Sequence, residues 1–126
     1  MSLTVLRTGL AALLGAAALV AHAAGPAHAS PPLLNPVQAA YLQAETRRVE
    51  ETFVQKVMSI TGASREQVLA AIPAKGRITD RLARIYSALE QSLRQPLSDE
   101  QKGLIFAAEG ERRQALKDLP AQAAAR

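Results

Sequence analysis

Residues 79–96 read TDRLARIYSALEQSLRQP, and this stretch decides the fold class. Leu82, Ile85, Tyr86, Leu89 and Leu93 recur at spacings of three and four, which places them on one face of an α-helix. Thr79 or Asp80 opens the segment and Pro96 stops it. Asp80 with Arg84 and Glu90 with Arg94 are acid-first i,i+4 pairs, each worth about 0.3–0.5 kcal/mol. A helix with one apolar stripe needs other helices to bury it against.

The flanking sequence supplies them. Upstream, Asn35-Pro36 opens a helix: Asn is a good N-cap, and Pro fits the first helical position because its missing N–H would be unpaired there. Leu42, Thr46, Val49, Phe53, Val57 and Ile60 form its stripe, and Gly62 ends it in the left-handed C′ conformation. A short helix follows, with Ser64 and Gln67 as a capping box, Val68, Leu69 and Ile72 as its apolar face, and Pro73 as its stop. The loop after it, Ala74-Lys75-Gly76-Arg77, is basic. Downstream of residue 96, Ser98 and Gln101 form a second box. The stripe of this last helix is Leu104, Ile105, Ala108, Ala115, Leu116 and Leu119, and Pro120 closes it. No segment alternates apolar and polar residues with β-branched enrichment. The expected fold is all-α: four helices over residues 36–119, as a small antiparallel bundle or open helical hairpins. Residues 30–35 read as a flexible lead-in and residues 120–126 as a flexible tail.

Residues 1–29 read as an export signal. Arg7 is followed by an apolar run from Gly9 to Ala21 and by two small-x-small sites, Ala21-His22-Ala23 and Ala27-His28-Ala29. Cleavage is expected after residue 23 or 29, leaving one domain of roughly 100 residues. The apolar run is short and rich in Ala, well below the roughly 20 strongly apolar residues of a span, so no stable membrane span is expected after cleavage. The expected location is the periplasm or outside the cell.

The chain has no Cys and no Trp, and its aromatic residues are Tyr41, Phe53, Tyr86 and Phe106. An exported domain without disulfides must hold together by aliphatic packing. Lys and Arg number 15 against 11 Asp and Glu, a net charge of +4, and loss of Arg7 with the leader removes one unit. That bias is too mild for a nucleic-acid binder.

The chemical inventory argues against catalysis. Cleavage at the second site removes both His22 and His28, and with them the commonest general base and metal ligand. Gly62 and Gly76 stand alone, so no phosphate-binding loop is present. Glu50-Glu51, Asp99-Glu100, and Glu109 with Glu111 read as solvated helix surface, because sequence neighbours diverge by about 100°. No catalytic residue, metal site or cofactor is expected.

Leu97-Ser98-Asp99-Glu100-Gln101 is a helix start, with Leu97 as a hydrophobic staple beside the box. It also resembles the Leu-Thr-x-x-Gln motif of the Spy/CpxP-type periplasmic chaperone and stress-sensor family, with Ser in place of Thr. That family carries the motif twice, and Ala63-Ser64-Arg65-Glu66-Gln67 is similar to a degraded second copy. The resemblance covers about ten residues, plus export, size and helicity. It implies an all-helical, curved dimer that holds unfolded clients without ATP.

Two further features stand out in the last helix. Arg112 falls in the middle of its apolar stripe and must snorkel, pair with a carboxylate or face a groove. On the reverse side, Lys102, Phe106, Glu109, Arg113 and Lys117 form a second line beside Gly103, Ala107 and Gly110. Two glycines within a helix cost about 1 kcal/mol each relative to Ala, and close approach of another backbone is one reason to keep them. That side is either packed within the monomer or meets a partner. Phe106, Arg113, Lys117, Arg112 and Lys102 are the candidate binding residues, and Gly103, Ala107 and Gly110 the candidate interface. The expected function is non-enzymatic binding, chaperone-like or linked to envelope stress, with protein clients or a second copy as partner and no nucleic acid. The alternatives are a small secreted enzyme of the chorismate-mutase type, drawing on Arg47, Arg48, Lys56, Arg81 and Arg84, or a structural envelope protein.

Overall fold

The structure is a computed structural model and describes residues 33–126. The expected leader and its cleavage sites lie outside the described residues. Four helices follow one another: α1 Pro36–Thr61, α2 Arg65–Ala71, α3 Ile78–Leu93 and α4 Asp99–Ala124. No strand occurs among the described residues. The protein is all-α, as its periodicity predicts.

The two longest helices, α1 and α4, have 26 residues each, about 39 Å at 1.5 Å per residue. They pair antiparallel along their length, and α2 and α3 form a shorter hairpin whose α2 arm rests on α1. One core joins all four. Phe53 and Val57 of α1, Val68 of α2, Ile85 and Leu89 of α3 and Ile105 of α4 are almost fully buried in a single cluster. Burying each such side chain contributes roughly 1.5–3 kcal/mol. Tyr86 ties α3 to α4 by donating its hydroxyl proton to the Lys102 carbonyl at 2.9 Å.

Helix ends are handled by one device used three times. Asn35, Ser64 and Ser98 are N-caps whose side chains accept from the backbone N–H of Gln38, Gln67 and Gln101. Each glutamine Oε1 accepts in return from the N-cap N–H, at 3.0, 2.8 and 2.8 Å. The other end of each glutamine reaches a neighbouring helix. Gln38 Nε2 donates to the Ala124 and Arg126 carbonyls, Gln67 Nε2 to Ser92, and Gln101 Nε2 to Ile60. Each glutamine therefore closes the N-terminus of its own helix and the C-terminal end of the antiparallel neighbour. The sequence reading identifies the boxes at Ser64 and Ser98, but at Asn35 only the cap, not the return bond from Gln38.

Four expectations need correction. α4 does not stop at Pro120; it runs to Ala124 with the proline inside it. Pro120 removes one intrahelical donor, but Leu119 and Ala123 are buried on either side and Gln38 holds the last carbonyls. Residues 120–124 are thus helix, not a flexible tail. α3 begins at Ile78, ahead of Thr79, and Arg77 caps it without a side-chain bond. Among the described residues neither Asp80–Arg84 nor Glu90–Arg94 forms an ion pair. Arg94 lies past the helix end at φ 57°, which swings it off the i+4 position, and Glu90 accepts instead from the Leu97 N–H at 2.8 Å. Leu104 and Leu69, assigned to buried stripes, are 48% and 47% exposed.

Candidate functional site

The antiparallel pair leaves a trough along one side. An open groove of about 850 Å³ runs between α1 and α4, floored by Ala44, Ser59, Ile60, Leu104, Ala107 and Ala108. Arg47, Arg48 and Lys56 line it from α1, and Glu51 and Glu111 add two carboxylates. Small side chains make the trough: Ala107 and Ala108 on α4, and Ala44 and Ser59 on α1, leave space where larger residues would interdigitate. Lys56 spans it to pair with Glu111, and Arg65 at the start of α2 pairs with Glu51. The Arg65 hydrogen bond, reinforced by Gln55, holds the Glu51 carboxyl below its ordinary range. A smaller cavity of about 250 Å³ continues the groove past Lys56 and Glu111 toward Phe53, Arg112 and Ala115.

On the α3 side of α4 the interior is charged. Glu109 is 2% exposed. Its Oε2 accepts from Arg81 Nε at 2.9 Å and its Oε1 from Arg112 Nη1 at 2.6 Å, while Arg112 Nε donates to Glu50 Oε2 at 2.8 Å. Four side chains from α1, α3 and α4 thus alternate in charge, as Arg81, Glu109, Arg112, Glu50. Burial alone would lower the Arg112 pKa; the Glu50 hydrogen bond and the charges of Glu109 and Glu50 outweigh it and leave it raised. The Arg81 guanidinium also stands 5.4 Å from the Phe53 ring centroid, in cation–π contact.

The candidate residues named from sequence separate into three places. Arg112 takes the carboxylate-pairing option, inside the network. Lys102 lies half-buried over the Tyr86 ring at 5.9 Å. Phe106 is 65% exposed, and Arg113 and Lys117 are exposed on the same flank. A Cβ built at Gly103 or Gly110 meets nothing within 4 Å, so the chain itself supplies no close-approaching backbone there. Ala107 belongs to the groove on the other flank. Glu109, placed by its spacing on the solvated reverse side, is instead buried, because Arg81 and Arg112 converge on it. The sequence analysis names Arg81 and Glu50 in other roles, and only the fold joins them to Arg112. One signal for the partner is legible: carboxylate pairing is among the options of a guanidinium within an apolar stripe, and Glu109 lies three residues away on the same helix.

No helix among the described residues is long and apolar enough to cross a membrane. Compared with known proteins, the chain matches no family model, no curated protein and no solved structure.

Proposed function

We propose that this chain is an exported, non-enzymatic binding protein that holds an apolar stretch of polypeptide in the α1/α4 groove. The observation that carries this reading is the groove itself: an apolar floor with a half-exposed Leu104, bordered by Arg47, Arg48 and Lys56. An unfolded chain offers apolar side chains for such a floor and backbone carbonyls and carboxylates for the cationic rim. No nucleotide or metal is required for capture of this kind. The leader-like residues 1–29 and the likeness of Leu97–Gln101 to the Spy/CpxP-type motif support the same reading. Phe106, Arg113 and Lys117 offer a second contact surface on the opposite flank of α4.

The test is light scattering of a denatured client diluted into buffer with and without the mature protein. Suppression of aggregation at near-stoichiometric ratios, without nucleotide, is expected. Leu104→Asp and Ala107→Asp, at exposed positions, should abolish suppression with little change in thermal unfolding. A wild-type protein that leaves aggregation untouched, or an aspartate pair that suppresses as well as wild type, overturns the groove assignment.

A further inference from the structure

The network around Glu109 forms one wall of another cavity, of about 260 Å³. The α2–α3 loop, Pro73 to Gly76, covers it, and Arg81, Glu109, Arg112 and Arg113 complete the lining. With Lys75 the cavity gathers four cations and one carboxylate. Both Glu109 oxygens are already occupied, by Arg81 Nε and Arg112 Nη1. Arg81 Nη2, by contrast, is buried and has no hydrogen-bond partner among the described residues, on a side chain only 11% exposed. A buried guanidinium nitrogen without an acceptor is costly, and it belongs to a side chain that lines the cavity. Lys75 and Arg113 form no ion pair among the described residues.

We propose that this cavity binds a small oxyanion carrying two or more negative charges, of the class of inorganic phosphate or a short dicarboxylate. Its volume lies just below the range of pockets for drug-sized ligands, which favours a small occupant. Guanidinium forks favour phosphate and carboxylate oxygens over chloride, through paired N–H donors. Arg81 and Arg112, fixed by Glu109, form the rigid part of the site. Lys75 on the loop and Arg113 at the exposed edge of α4 close on the ligand from solvent. Occupancy would tie the α2–α3 loop to α4. The site shares Arg112 with the cavity that continues the groove and Arg113 with the second contact surface, but its test needs no polypeptide, so anion binding is read separately from client binding.

The experiment is isothermal titration of the full-length mature protein with phosphate, and separately with succinate, in buffer matched to chloride for ionic strength. One saturable site and a thermal midpoint that climbs with the logarithm of ligand concentration are expected. Lys75→Ala and Arg113→Ala lie outside the Glu109 network and should leave the unliganded midpoint unchanged. Each should weaken binding by about tenfold, the size of one charge-assisted contact. Phosphate alone binding would assign the tetrahedral oxyanion; succinate alone would assign the dicarboxylate. Neither anion binding above the chloride control, or binding that both substitutions leave unaltered, overturns the site.

Discussion

Replacing Glu109 by Ala should be the most damaging single truncation of a charged side chain in this protein. The carboxylate is 2% exposed and is the acceptor for Arg81 Nε at 2.9 Å and Arg112 Nη1 at 2.6 Å. Its loss leaves Arg81, 11% exposed, with no carboxylate, while Arg112 keeps Glu50 at 2.8 Å. Breaking a buried pair from one side costs about 3–5 kcal/mol. The surviving Arg112–Glu50 bond and the narrow opening at Arg81 place the expected loss near the low end, about 3 kcal/mol. A domain of this length has only about 5–14 kcal/mol in total, so Tm should fall by at least about 12 °C. Urea unfolding followed by far-ultraviolet circular dichroism measures the loss directly. A companion variant, Arg81→Met with Glu109→Leu and Arg112→Met, separates charge from packing. It should recover most of the loss, since apolar replacement of a whole buried ion network is often neutral or better. Glu50, at 39% exposure, is then free to hydrate. A loss below about 1 kcal/mol in Glu109→Ala would refute the buried network. A triple variant as weak as the single would show that packing, not uncompensated charge, carries the effect.

Three other outcomes follow from the same geometry. Ser98→Ala removes the α4 N-cap bond to the Gln101 N–H at 3.0 Å and should cost about 1 kcal/mol in denaturant unfolding; an unchanged midpoint would mean that the box is not closed in solution. Gly103→Ala and Gly110→Ala meet open space, so each should raise stability by about 0.5–1 kcal/mol; a drop in stability or in sedimentation mass would reveal a partner packed on that flank. Burial pushes the Tyr86 phenol above its ordinary pKa, so its ionisation is penalised in the folded state. Stability should be intact below about pH 10 and decline as pH rises through the raised folded value, and Tyr86→Phe should lessen that alkaline decline in a pH series of thermal melts.

The helices were legible because their signals are local. The stripe from Leu82 to Leu93, the boxes at Ser64 and Ser98 and the left-handed Gly62, at φ 76°, each depend on neighbours in sequence. Pro120 misleads for the complementary reason: the proline signal is local, whereas the forces that carry α4 past it are the burial of Ala123 and bonds from Gln38 in the first turn of α1. The charged interior followed the same rule. The exceptional position of Arg112 could be read from its own helix, but Glu50 and Arg81 come from α1 and α3, and only the packed structure brings them to it. The groove was invisible in a similar way, since a trough is a property of two facing surfaces, and Ala44 and Ala107 say little until they are opposed.

The glutamine clasps bear on how such a chain can vary in length. Gln38 fastens the start of α1 to the end of α4, and Gln101 fastens the start of α4 to the end of α1. Two rods joined at both ends behave as a closed frame, and their equal lengths are then a condition of closure. A residue inserted in α1 alone would add about 1.5 Å and 100° of rotation, opening one clasp or bowing the helix. Insertions and deletions should therefore be tolerated only when both rods change together, or when they fall in the α2–α3 arm outside that frame. Exposed side chains on the outer faces of the two rods are free to diversify under this constraint, whereas the spacing between the clasps is not.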